Sequence, residues 1–164
     1  MQPDRSPKIV MSRFVARDAL LLLLALSLWI LTGTFPGLAV PAAIISGLVA
    51  FELHEWGHWL GAKNANAVIT PARSLLSPFL FNFDSKANSR RQFLAMSWPG
   101  FVATAVFLAI FQWWLPESHP ATSLTRQIAW GLAAVTVIVE IPLALWTLAG
   151  GRIPPVPVFL PGKR

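Results

Sequence analysis

PAAIISGLVAFELHEWGHWLGA, residues 41–62, is the stretch on which the fold turns. It is apolar enough, and at 22 residues long enough, to cross a bilayer, which takes about 20 residues as a helix. Yet it contains Glu52, His54, Glu55 and His58. A charged group at membrane depth costs roughly 2.5 kcal/mol or more, so these residues need a task. On a helix, His54 and His58 point the same way, with Glu55 one step around. That spacing suits a pair of zinc ligands with a carboxylate beside them as base. Gly47, Ala50, Gly57 and Gly61 share the histidines' face, so it admits a second helix closely and turns the imidazoles away from lipid. Glu52 falls nearly opposite, where an ion pair or a bond to another helix suits it better than catalysis. Two purely structural histidines, bonded to nearby carbonyls, would leave Glu55 without a purpose.

The rest of the chain agrees with a membrane setting. Of its 164 residues 55% are hydrophobic and 12% charged, and the mean hydropathy is +0.59. One soluble core cannot hide that much apolar surface. The net charge of +6 would suit nucleic acid if it were clustered, but the charges lie in the gaps between apolar runs, which excludes that reading. No cysteine is present, so disulfides and thiolate metal sites are excluded.

The expected fold is an all-α integral membrane protein, a single membrane domain over residues 1–164. Its four transmembrane helices fall at 19–40, 41–62, 93–115 and 127–149. Turn residues Thr32 to Gly37 make the first two a tight antiparallel pair. The loop between the second and third helices is expected to form a short strand or a re-entrant segment. Residues 152–164, with Pro154, Pro155, Pro157 and Pro161, read as an extended proline-rich tail. Twelve of the 13 basic residues fall on one side, with Arg126 alone on the other, so both termini and the 63–92 loop are expected to be cytoplasmic. The tryptophans sit near the span ends, as interfacial anchors do. The basic lead before Leu20–Leu31 has the make-up of a signal peptide, but no small-x-small site follows it, and a retained span is expected.

A catalytic zinc takes three protein ligands and leaves one position for water. His119 lies in the outer loop, on the wrong side. Asp18 is interfacial. Asp84, in the cytoplasmic loop, is a fallback. Glu140 is the preferred third ligand, with a glutamate hydrogen-bonded inside the bundle as the alternative. It interrupts an apolar run and shares a face with Ala133, Thr136, Ala144 and Thr147. Counting 1.5 Å per residue puts it roughly 13 Å deep, against about 6–12 Å for the histidines. Pro142 should loosen the helix there.

His54-Glu55-Trp56-Gly57-His58-Trp59-Leu60-Gly61-Ala62 resembles the His-Glu-x-Gly-His-x-x-x-Ala motif of the site-2 proteases, a family of intramembrane zinc metalloproteases. Arg90 to Gly100 is similar to that family's entry into its next helix, and Leu148-Ala149-Gly150-Gly151-Arg152 to the Leu-Asp-Gly-Gly-Arg that closes its third core helix. The resemblance covers residues 41 to 155 and implies zinc as cofactor, Glu55 as general base, and His54 and His58 as ligands. The implied substrate is a membrane protein or signal-peptide-like segment, cut within or beside a transmembrane helix. Ala149 stands where the family has its third ligand, an aspartate; either Glu140 has taken that role or the site is degenerate. A degenerate site would make the chain a pseudoprotease that binds membrane partners. A metal-handling membrane protein would usually line several helices with ligands, which this chain does not. Residues 67–83 are expected either to offer an edge strand to an extended substrate or to rest as an amphipathic loop on the membrane.

Overall fold

A computed structural model gives the structure of residues 7–154. Arg5 and residues 155–164, including Pro155, Pro157 and Pro161 of the expected tail, lie outside the described residues. The elements run α1 (Pro7–Thr34), a 3-10 turn (Pro36–Leu38), α2 (Ala39–Asn64), β1 (Ile69–Pro71), β2 (Phe81–Phe83), α3 (Arg90–Trp113), α4 (Thr122–Val135), a π-helical turn (Thr136–Glu140) and α5 (Ile141–Leu148). Four helical stretches are long and apolar enough to cross a membrane: Met11–Thr34, Pro36–Asn64, Arg90–Trp113 and Thr122–Leu148.

The bundle is built around α2 and α3. One third of each of their apolar windows is buried, against 11% for α1, which therefore packs on the periphery. Large apolar side chains such as Leu20, Ile30, Val102 and Ile138 face outward, as they do where lipid is the solvent. Many of the contacts between helices are made by small residues instead. Ala42, Ala43, Ala50 and Ala129 are fully buried, and a Cβ on Gly47 would collide with Ile128 of α4. With no hydrophobic drive between helices in lipid, such close backbone contact is what holds them together.

Local signals set the ends. Ser89 accepts from the Gln92 N–H while the Gln92 side chain accepts from the Ser89 N–H, a capping box that starts α3. Arg126 closes the other end of α3 by donating to the carbonyls of Phe111, Gln112 and Leu115 at 2.8–3.1 Å. At the end of α5, Gly150 takes a φ of +97°. Its N–H donates to Thr147 and that of Gly151 to Trp146, the Schellman pattern that glycine permits. The Gly-Gly pair of the sequence motif is thus a helix stop.

Four helices long and apolar enough to cross a membrane stand where four spans are expected, with shifted bounds. α1 begins at Pro7 rather than residue 19, because its polar lead through Arg13 and Arg17 continues the helix that the apolar run enters. An apolar run marks where lipid-like surface starts, not where backbone hydrogen bonds start. The 63–92 loop forms a two-stranded antiparallel hairpin, with Ile69 opposite Phe83 and Pro71 opposite Phe81. Phe81, Phe83, Phe93 and Met96 pack with Phe14 and Ala62 into an apolar cluster beneath the helices.

Candidate metal centre

His54 and His58 project from α2 toward α3, and α3 is shaped to receive them. A Cβ on Gly100 would run into the His58 ring. One on Gly57 would meet the Pro99 carbonyl oxygen at 2.5 Å, and one on Gly61 would collide with the Ala95 carbonyl. Alanine at any of these positions would push the helices apart. Pro99, inside α3, has no N–H to offer the Ala95 carbonyl. Pro99 and Gly100 thus supply the narrow surface against which α2 packs.

Both imidazoles are oriented by hydrogen bonds from Nδ1. His58 Nδ1 lies 3.0 Å from the Met96 carbonyl oxygen. His54 Nδ1 lies 3.0 Å from the Gly100 carbonyl oxygen and 2.8 Å from Thr104 Oγ1. A carbonyl only accepts, so each Nδ1 carries the proton and each Nε2 presents its lone pair, the tautomer a metal ligand needs. The two Nε2 atoms are 2.9 Å apart. Facing lone pairs at that separation repel unless a cation, a proton or a metal ion, sits between them.

Glu140 completes the triangle. Its Oε1 lies 3.2 Å from His54 Nε2 and its Oε2 3.4 Å from His58 Nε2. Ligands each about 2.0–2.1 Å from a tetrahedral zinc lie roughly 3.3 Å from one another, so the three spacings suit one ion. Glu140 Oε2 is buried and has no hydrogen-bond partner, an expensive state for a carboxylate oxygen that a metal bond would relieve. His54, His58 and Glu140 are the group of His, Asp and Glu side chains among the described residues whose ligand atoms come close enough to hold a metal ion. The residues present fit the ion.

The π-helical turn is what delivers Glu140. The Ile141 N–H donates to the Thr136 carbonyl, five residues back. Pro142 cannot donate to Ile138, so the α-helical ladder fails there and the backbone relaxes into the wider turn. Ala133, Thr136, Ala144 and Thr147, placed by the sequence on Glu140's face, are all buried. Ala149 is exposed, nine residues and about 14 Å farther along the axis.

Glu55 is 6% exposed and lines a cavity of about 90 Å³ together with His58 and Glu140. The Leu80 backbone amide, just before β2, faces its carboxylate. Phe79, Phe81, Phe93 and Phe101 form much of the remaining wall. The other candidates lie elsewhere. Asp84 accepts from the amides of Lys86 and Ala87 in its own turn. His119 stacks on Trp29 with ring centroids 4.0 Å apart. Asp18 accepts from Trp56 Nε1 at 2.7 Å, and Glu52 pairs with Arg17 at 2.5 Å. Sequence reasoning did not find Thr104 or the carbonyls of Met96 and Gly100, which orient the histidines. Thr104 carried a signal, a polar residue in an apolar helix one turn beyond Gly100.

No protein-family model, curated protein or solved structure matches the chain. The functional reading rests on this geometry and on the motif.

Proposed function

We propose that this protein is a zinc-dependent intramembrane endopeptidase of the site-2 protease kind. The observation that carries the reading is the convergence of His54 Nε2, His58 Nε2 and the Glu140 carboxylate at ligand spacing, with Glu55 on the same cavity. His54, His58 and Glu140 would hold the zinc. A bound zinc supplies Lewis acidity, which polarises a peptide carbonyl and makes water nucleophilic near neutral pH. Glu55 takes a proton from water as its oxygen adds to the carbonyl carbon, then passes that proton to the amine nitrogen as the C–N bond breaks.

The hairpin supports an extended peptide substrate. In its register Thr70 and Asn82 exchange the inward hydrogen bonds, so the N–H and C=O groups of Phe81 and Phe83 point away from β1. Phe81 also lines the cavity. A transmembrane or signal-peptide-like segment, unwound near its end, pairs with that edge and passes its backbone by Glu55. The hairpin and both ends of the described chain lie on the side rich in Lys and Arg, which we assign to the cytoplasm.

Ala149 favours a second reading, a pseudoprotease that binds membrane proteins without cutting them. Two measurements on purified protein decide between them. Zinc near one ion per chain, with loss of peptide cleavage but retention of zinc in Glu55→Gln, is the expected result. Negligible zinc in the wild-type protein would sink the enzyme.

A further inference from the structure

Outside the metal centre, Arg17 of α1 joins three parts of the fold. Its Nε donates to Asp18 Oδ1 at 2.6 Å, and its Nη2 is 2.5 Å from Glu52 Oε2 on α2. Its Nη1 donates to two backbone carbonyls of the hairpin loop, Leu75 at 2.9 Å and Ser77 at 2.8 Å. The guanidinium also lies over the Phe14 ring, 4.8 Å from its centroid. The Arg17 and Glu52 side chains are only 17% and 10% exposed.

Ion pairing alone does not explain this arrangement. Arg17 and Glu52 lie within helical stretches long and apolar enough to cross a membrane. Glu52 is twelve residues from the end of α2 at Asn64, about 18 Å along the axis. The loop between β1 and β2 reaches this level with irregular backbone, whose carbonyls have no partner in lipid. Such backbone persists at depth only where the protein supplies the missing hydrogen bonds. Arg17 supplies two of them, and Glu52 makes its buried charge tolerable.

The loop it grips leads into the site. Ser77 Oγ donates to the Phe79 carbonyl and accepts from the Phe79 N–H, a tight local turn. Phe79 and Phe81 are cavity walls, and the Leu80 amide between them faces Glu55. Ala72 donates to the Leu80 carbonyl at 2.9 Å, which ties this turn to the start of the loop.

We propose that Arg17 is a positioning residue: by bridging Glu52 to the carbonyls of Leu75 and Ser77, it locks the 72–80 loop against α1 and α2. It thereby fixes the phenylalanine walls of the cavity beside Glu55. The lock is a property of the fold, while its effect on turnover rests on the protease reading above, and the two are tested separately.

The test is hydrogen–deuterium exchange of residues 72–80 in the full chain, embedded in phospholipid nanodiscs. Arg17→Met keeps an unbranched apolar stem and removes every donor. It should speed exchange in this segment at least about tenfold, since one hydrogen bond to a charged group is worth that much, and leave α3 protected. Arg17→Lys keeps the charge but cannot reach Glu52 and both carbonyls together, so it should give an intermediate rate. That variant carries the test if Arg17→Met does not fold. The Arg17→Met, Glu52→Gln double variant restores charge balance without the donors and should still exchange fast. Wild-type protection in the double variant would overturn the proposal, because Arg17 would then only neutralise Glu52. Unchanged protection in Arg17→Met would also overturn it. In peptide cleavage, Arg17→Met should lower kcat with zinc content unchanged; an unchanged kcat would remove Arg17 from the mechanism. Absence of cleavage in the wild-type protein would sink the protease reading and leave the exchange result to judge the lock.

Discussion

At the scale of single residues, the site depends on atoms that cannot be moved by a methylene. Glu140 reaches both histidines with its two oxygens at 3.2 and 3.4 Å. Glu140→Ala should abolish stoichiometric zinc binding, measured by metal analysis of purified protein, and full retention would remove Glu140 from the ligand set. Gly100→Ala tests the socket, since its new methyl would occupy the space of the His58 ring. It is expected to lose zinc and to lower thermal stability by a few kcal/mol, as overpacked cores do. Thr104→Val keeps the shape and removes one partner of His54 Nδ1. It should weaken zinc binding about 10–100-fold in a competitive chelator titration, the usual cost of losing an orienting partner. At this scale the sequence was informative where spacing implies geometry. His54, Glu55 and His58 follow from helical periodicity, and Glu140 from its rarity in an apolar run. Leu80 and the Met96 and Gly100 carbonyls were not legible, because a backbone group carries no letter of its own and only the fold brings it to the site.

Among the elements, the π-helical turn sets where Glu140 stands. Pro142 denies the Ile138 carbonyl its partner, and the wider turn that results carries Glu140 into the bundle. Pro142→Ala would restore that partner and let Thr136–Leu148 run as continuous α-helix. Such a variant is expected to unfold at higher temperature yet bind zinc at least tenfold more weakly, because Glu140 would rotate off its line to the histidines. A loss of both stability and zinc would show instead that Pro142 acts through packing. The loosening was legible in Pro142, but its form was not, since proline permits a kink, a break or a π-turn according to what the neighbouring helices offer. The hairpin was half legible for a similar reason. Residues 67–83 carried strand-forming side chains, but strands of three residues need a partner and a floor, and both come from distant parts of the chain.

For the whole molecule, orientation is the property that ties site to substrate. Among the described residues nine Lys and Arg belong to the hairpin side of the bundle and one, Arg126, to the other. The lone exception, Arg126, donates to three carbonyls and pairs with Glu117 at 2.5 Å, so its charge has little weight in topology. The hairpin, the start of α3 and the close of α5 lie together, joined by Arg90 to the carbonyls of Gly150 and Gly151 and by Ser85 to that of Pro154. Water and substrate would thus reach Glu55 from the basic side. Because the chain has no cysteine, single-cysteine labelling reports this without background. Ala87 and Ser118 are both exposed, in the loops at opposite ends of α3. A membrane-impermeant maleimide applied to intact cells should label Ser118→Cys and should reach Ala87→Cys only after the membrane is opened. The reverse pattern would put the hairpin outside and invert the side from which a substrate arrives. Labelling of both positions in intact cells would mean that the four apolar helices do not form a single multi-pass bundle.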